Sequence, residues 1–167
     1  RNHNAGTGDT AGFLSNVRIV KGTAVYTANF TPPTESLTAI TNTELLTCHL
    51  PYIADGSTND HSITVNGNVS IEPFSPYDYD EYSATNHGGS VYFDGTSDYL
   101  LINSPPTLGA NDWTFETWYY ASNPLTYNIL LSQGPGNNTV VSNFSVSSSG
   151  EITIQTYTST NVVLYAT

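Results

Sequence analysis

Closely spaced turn signals divide this chain into short runs, and this spacing limits its fold more than any other feature. Dipeptides such as Asn66-Gly67 and Asp94-Gly95 stand between runs that are rich in Val, Ile, Leu, Tyr and Thr. Signals of this kind recur about every 8–12 residues, which is typical of β-sandwiches and barrels. No run has a convincing helical periodicity. The sequence therefore predicts an all-β fold with about a dozen short strands.

The first predicted strand, residues 13–20, alternates only in part. Leu14 is out of phase with Val17 and Ile19, although all three are apolar. Residues 45–50 form a second clear strand. Further strand-like runs are residues 90–93, 99–102, 114–120, 129–132, 143–146, 151–157 and 162–165.

Two hairpins are predicted from their turns. The N-G dipeptide at residues 66–67 is a strong type I′ signal, and it predicts that residues 62–65 pair with residues 69–71. The S-S-S-G sequence at residues 147–150 predicts a second hairpin turn.

The chain is strongly acidic, with 14 Asp and Glu against three Lys and Arg, a net charge of −11 and a pI near 4.2. Nucleic acid is excluded as a partner, because phosphate binding needs a surface of Lys and Arg. Anionic membranes are disfavoured for the same reason, and no stretch approaches the ~20 apolar residues of a membrane span. The single cysteine, Cys48, lies in an apolar run, so we expect a buried, unreactive side chain.

Three motifs resemble those of concanavalin A-like, laminin-G-like jelly-roll domains. D-W-T-F-E-T-W-Y-Y at residues 112–120 looks like their "W-T-F-E-x-W" strand, and V-Y-F-D-G with D-Y-L at residues 91–100 looks like their opening. G-F-L-S-N-V-R-I at residues 12–19 is similar to their closing strand. This version resembles tandem domains in tail and surface proteins of marine bacteriophages and in bacterial surface proteins. The resemblance implies an antiparallel jelly-roll β-sandwich, incomplete or split between neighbouring domains.

The order of these motifs is reversed, because the closing motif comes before the opening one. We therefore expect residues 1–72 to hold the C-terminal part of one sandwich plus a following hairpin. Residues 73–87 form an acidic, Tyr-rich connector, and residues 88–167 hold the N-terminal part of a second sandwich. The alternative is a single sandwich that is circularly permuted or completed by a neighbouring subunit. Exposed strand edges would then invite pairing with another chain.

The carboxylates are not arranged for catalysis. Glucan-cutting enzymes of this fold commonly carry "E-x-D-x-x-E", whereas Glu116 and Glu151 each stand alone on their strand or hairpin. The four histidines are scattered and form no triad or metal-hydrolase spacing. We therefore expect that the protein is not an enzyme.

Two sets of residues are candidate binding sites. Asp94 and Asp98 flank a Gly-containing turn and are candidate calcium ligands, since related domains often bind Ca²⁺ with loop carboxylates. Their alternative role is ordinary turn chemistry. Trp113, Trp118 and Tyr120 are candidates for stacking on sugar rings. Because a strand alternates its faces, either Trp118 or Tyr119 is expected inside and the other partly exposed.

The sequence thus predicts a non-enzymatic structural or binding module of a viral (phage) surface, decoration or tail protein, with cell-surface glycans as a candidate ligand. It is expected outside cells or on the virion surface, with neighbouring copies or other structural subunits as partners. Two alternatives remain open: a bacterial adhesin or extracellular filament subunit completed by strand exchange, and a carbohydrate-binding module of a larger secreted enzyme.

Overall fold

The computed structural model describes residues 10–77, 88–106, 112–122, 127–133, 142–157 and 161–166. Within these ranges the protein contains eleven strands and no helix, and every strand pair is antiparallel. The strands are β1 Ala11–Lys21, β2 Thr43–Thr47, β3 Ile63–Asn66, β4 Ser70–Glu72, β5 Ser90–Asp94, β6 Tyr99–Ile102, β7 Trp113–Ala121, β8 Tyr127–Gln133, β9 Ser142–Ser147, β10 Ile152–Tyr157 and β11 Asn161–Ala166. The predicted all-β, antiparallel class is confirmed.

The long strand β1 organises the largest sheet, which we call the central sheet. One edge of β1 pairs with β7, from Gly12 opposite Ala121 to Lys21 opposite Trp113. The other edge is shared end to end by β5 and β2, and β4 adds to β5. The remaining strands form a four-stranded sheet in the order β11-β10-β9-β8 and a two-stranded sheet of β3 and β6.

A β-bulge at Asn16 explains the uneven alternation of β1. Asn16 has φ 55° and is fully buried, and the register with β7 shifts between Ser15 and Arg18. The extra residue reverses the alternation of the strand. Leu14, before the bulge, and Val17, after it, therefore belong to the same core cluster.

Both core clusters lie on one face of the central sheet, which we call the inner face. Their buried side chains come from β1, β5, β2 and Cys48 directly after β2, and partly buried residues of other strands and loops pack against them. Val20 and Leu46, which alternate with Ile19 and Leu45, are buried as well. This two-layer packing is consistent with a β-sandwich. Cys48 is buried in this core, as predicted, and burial raises the pKa of its thiol to about 12. The main cluster consists of Leu14, Val17, Cys48, Val91 and Phe93, with Ile53, Val69, Leu100, Phe115, Tyr119 and Leu130 against it.

Strands from both predicted segments contribute to the central sheet. β1 and β2 come from residues 1–72, whereas β5 and β7 come from residues 88–167. Residues 78–87 of the predicted connector lie outside the described residues. The division into residues 1–72, 73–87 and 88–167 stays a prediction, although its first and last segments share a sheet in this chain.

The hairpin predicted at residues 66–67 is wrong, whereas the one at residues 147–150 is confirmed. β3 pairs with β6, and β4 pairs with β5, so the strands on either side of Gly67 join different sheets. The Asp98 carboxylate lies against Gly67 and accepts a hydrogen bond from the Asn68 amide. This long-range contact takes the place of the local pairing that the dipeptide favours. β9 and β10 do pair across the second turn.

Candidate binding face on the central sheet

The strand β7 separates its aromatic residues between two environments. Phe115 and Tyr119 point into the core, and burial raises the pKa of the Tyr119 phenol to about 12. Trp113 packs against the second core cluster, which is formed by Ile19 and Leu45. Trp118 and Tyr120 alternate with these residues, so they lie on the opposite face of the sheet, the outer face. The expectation that one of Trp118 and Tyr119 is inside is therefore confirmed, with Tyr119 in the core.

Four aromatic rings meet on the outer face at one end of the sheet. Phe13 of β1 stands opposite Tyr92 of β5 on one side and Tyr120 of β7 on the other. Its ring centroid lies 5.0 Å from that of Tyr92 and 6.1 Å from that of Tyr120. Phe74 lies 4.9 Å from Phe13 and 5.2 Å from Tyr120. We call these four residues the aromatic face.

The aromatic face is open to solvent. Tyr120 is 57% exposed and Phe74 is 46% exposed. Together with Glu72 and Pro73, the four rings line an open groove of about 630 Å³. The groove is shallow rather than enclosed, and its lining of aromatic residues with a few polar groups is of the kind common in small-molecule sites.

The three predicted sugar-stacking residues are not brought together. Tyr120 lies in the aromatic face, whereas Trp113 packs in the core. Trp118 is partly buried, and its indole N–H donates a 3.0 Å hydrogen bond to the Tyr77 hydroxyl. The Tyr77 and Trp118 rings meet edge to face at 6.0 Å.

Sequence reasoning missed three members of the face, although two of them carried a usable signal. Tyr92 stands between the core residues Val91 and Phe93, so alternation alone places it outside. Phe13 directly precedes the core residue Leu14, and the same rule applies. Phe74 follows a proline outside any strand, and no periodic pattern predicts its position.

The other end of the outer face carries a buried ion pair. The Arg18 guanidinium donates to one Glu116 oxygen from Nη2 at 2.7 Å and from Nε at 2.9 Å. Tyr26 donates from its hydroxyl to the other Glu116 oxygen at 2.9 Å, and Arg18 Nη1 donates to the Thr38 carbonyl at 2.8 Å. Burial, together with the Glu116 carboxylate, raises the pKa of Tyr26. These contacts hold residues 22–42 over this end, which we call the polar half.

The candidate calcium ligands bind backbone amides. Asp98 is 5% exposed, and its two oxygens accept hydrogen bonds from the amides of Asn68 at 2.5 Å and Asp94 at 2.9 Å. The Asp94 carboxylate accepts from the Thr96 amide at 2.6 Å. The two bonds within residues 94–98 are turn contacts, whereas the bond from Asn68 joins the turn to a distant loop. In the part of the chain that the structure describes, no three His, Cys, Asp or Glu residues are grouped to hold a metal ion. Calcium binding at Asp94 and Asp98 stays a prediction.

At the free edge of β2, the Asp55 carboxylate occupies a backbone amide that could otherwise pair with another strand. Asp55 accepts hydrogen bonds from the amides of Leu46, Ser57 and His61 at 2.8–3.0 Å, and the Gly56 amide donates to the Leu46 carbonyl. Burial alone would raise the pKa of Asp55, but the three amide bonds and a bond from the Ser57 hydroxyl outweigh it and lower that pKa. By contrast, β7 pairs only with β1 among the described strands.

No protein-family model, curated protein or solved structure matches the chain. Among the described residues, no helix has the length and apolar character needed to cross a membrane.

Proposed function

We propose that this chain is a non-enzymatic binding module of a viral (phage) surface, decoration or tail protein, and that its aromatic face binds sugar rings of cell-surface glycans. The observation that carries the proposal is the exposed aromatic face of Phe13, Phe74, Tyr92 and Tyr120. Aromatic rings offer flat apolar surface to the C–H faces of a sugar, and the tyrosine hydroxyls can bond its hydroxyl groups. The site of action is then extracellular or on the virion surface.

The resemblance to laminin-G-like jelly rolls supports the same proposal. The closing motif, the "W-T-F-E" strand and the V-Y-F-D-G part of the opening motif occupy neighbouring strands of one sheet, β1, β7 and β5, whereas D-Y-L leads into β6 of the two-stranded sheet. Arg18 of the closing motif stands opposite Glu116 of the "W-T-F-E" strand and forms an ion pair with it. We propose that the sheets of this chain are those of a concanavalin A-like jelly roll.

The engagement of the buried carboxylates favours a non-enzymatic role. Glu116 is neutralised by Arg18, and Asp55 and Asp98 are held by backbone amides. A glycosidase of this general type needs two carboxyls free to act as acid and nucleophile, at a separation of about 5 Å. None of these three is free in that sense.

Glycan binding by matched variants tests the proposal. The intact chain is applied to a glycan array and to affinity gels, beside Tyr120→Ala and Tyr52→Ala. Tyr52 is 58% exposed but does not line the groove, so it controls for loss of an exposed ring. We expect binding by the wild type and by Tyr52→Ala, and loss of binding in Tyr120→Ala with the fold retained. Equal binding by both variants would contradict the proposed face.

The viral context needs a separate measurement. We expect mass spectrometry of purified virions to detect this protein, and antibody labelling in electron microscopy to place it on the particle surface. Its absence from purified virions would remove the viral part of the proposal while leaving glycan binding intact.

A filament or adhesin subunit is the second candidate, and one observation favours it. β7 is nine residues long and has a single described partner, whereas the edge of β2 is closed by Asp55. A long, unprotected edge can receive a strand from another copy. Regular polymers of the isolated chain in sedimentation and electron microscopy are then expected, and a strictly monomeric chain at high concentration would contradict this candidate.

A further inference from the structure

We infer that the aromatic face selects uncharged sugar units and rejects acidic ones that carry carboxylate or sulfate groups. This inference rests on the proposed glycan binding and concerns the chemistry of the ligand. It follows from which charged groups stand at the groove and which do not.

A carboxylate stands in the wall of the groove. Glu72, at the end of β4, lines it together with the four rings, and its Oε1 accepts a 2.9 Å hydrogen bond from the Ser70 hydroxyl. The second carboxylate oxygen can accept hydrogen bonds from sugar hydroxyls. A ligand carboxylate or sulfate in the same groove would be repelled by this charge, since like charges disfavour each other at short range.

No Lys or Arg of the described chain is placed to offset Glu72. The chain has three Lys and Arg residues. Arg18 is 6% exposed and is bound to Glu116 in the polar half. Lys21 lies at the far end of β1, eight residues from Phe13, which is about 27 Å along an extended strand. Arg1 lies outside the described residues.

The polar groups at the groove suit a neutral, hydroxylated ligand. The tyrosine hydroxyls of Tyr92 and Tyr120 can donate and accept, and Glu72 can only accept while it is ionised. A sugar hydroxyl can meet either kind of partner. The net charge of −11 acts in the same direction at longer range, because it repels polyanions at low ionic strength.

Matched polysaccharides test this inference directly. Soluble amylose, galactan and mannan are each compared with the same polymer after oxidation of its primary hydroxyls to carboxylates. Dissociation constants are measured by affinity electrophoresis and calorimetry at low and at physiological salt. We expect at least one neutral polymer to bind the wild-type chain, and its oxidised counterpart to bind at least tenfold more weakly.

Variants assign the discrimination to Glu72. Glu72→Gln removes the charge from the groove wall, so it should reduce the ratio of the dissociation constants for the oxidised and the neutral polymer, whatever its effect on binding of the neutral polymer itself. Glu44→Gln removes one negative charge from β2, a strand that pairs with the other half of β1. The difference in affinity between the neutral and the oxidised polymer should then remain as in the wild type. Tyr120→Ala should lose both polymers.

The outcomes separate the inference from the proposed function. Equal binding of neutral and oxidised polymers would overturn the inference and leave glycan binding standing. An unchanged ratio in Glu72→Gln would overturn the role of Glu72. If no neutral or oxidised polymer binds, or if Tyr120→Ala binds like the wild type, the proposed function falls together with the inference.

Discussion

The polar half and the aromatic face lie on the same strands, β1 and β7, but differ in how their side chains are satisfied. In the polar half, the side chains of Arg18 and Glu116 are 7% and 13% exposed, and each is bound to the other and to residues 22–42. In the aromatic face, Tyr120 and Phe74 remain about half exposed, and no described segment covers their groove.

From this difference we propose different roles for the two regions. Breaking a buried ion pair lowers the free energy of unfolding strongly, although the intact pair adds little compared with well-packed apolar residues. Because Arg18 and Glu116 also bond to Thr38 and Tyr26, the pair holds residues 22–42 in place. Exposed rings leave apolar area in contact with water, and contiguous patches of this kind commonly mark interaction sites. Stability should therefore depend on the polar half and ligand binding on the aromatic face.

The largest expected effect is at the buried ion pair. Glu116→Ala leaves the Arg18 guanidinium buried without its anion, and we expect a loss of about 3–5 kcal/mol in the free energy of unfolding. Urea denaturation followed by tryptophan fluorescence measures it. The double variant Arg18→Met, Glu116→Leu should recover most of the loss, because neither charge is then stranded. If Glu116→Ala lowers the free energy of unfolding by less than about 1 kcal/mol, the pair behaves as a solvent-exposed ion pair. The polar half would then not be the region on which stability depends.

The bulge between the two regions should give the second largest effect. Asn16 accepts a hydrogen bond from the Leu37 amide at 2.7 Å and holds φ 55°. We expect Asn16→Ala to cost about 3 kcal/mol, since it leaves a buried amide unsatisfied and strains the backbone. Asn42 also has positive φ, at 66°, but its exposed side chain bonds only to Thr23. Asn42→Ala should cost about 1 kcal/mol, and equal losses would refute the special role of the Asn16 bonds.

The same bulge shows how far the sequence predicts this fold. Short runs and turn dipeptides are local signals, so the strands and the all-β class follow from them. The mismatch of Leu14 with Val17 was visible in the sequence, but it marks a bulge only once β1 is known to pair with β7. The failed hairpin at Gly67 has the same cause, because the competing Asp98 is 31 positions away along the chain. Pairing partners depend on long-range contacts that a local pattern does not contain.

For the candidate site, sequence reasoning identified the strand but not the set of residues. Trp113 and Trp118 were predicted from their residue type. Whether a side chain is exposed depends instead on whether another residue packs over it in the fold. Trp118 meets Tyr77, and Trp113 meets the core at Ile19 and Leu45. Among the described residues, Tyr120 meets only the edges of the aromatic face and remains 57% exposed.

Acid should destabilise the protein without distinguishing the two regions, and by less than the loss of Glu116. Burial lowers the pKa of His49 below 6.5, against the opposing charge of Asp55, and hydrogen bonds lower that of Asp55 below 3.8 despite its burial. The unfolded chain therefore binds more protons at acid pH, so stability is full above about pH 6.5 and falls as pH decreases. Urea midpoints between pH 8 and pH 3 should fall in parallel for the wild type and Tyr120→Ala. Asp55→Asn should flatten the lowest part of this profile, and an unchanged slope there would contradict the role of Asp55.

The smallest effect on stability should be at Tyr120, which we propose as a main contact for glycans. Tyr120→Ala removes ring contacts with Phe13 and Phe74 from a side chain that is 57% exposed, so we expect a loss of at most about 1 kcal/mol. Tyr119→Ala, one position away on the core side of β7, should cost about 3 kcal/mol because it opens a cavity. Thermal and urea unfolding of the two variants measure the difference. Comparable losses would mean that Tyr120 belongs to the packing of the fold, and the exposed rings would then no longer be a reason to propose glycan binding.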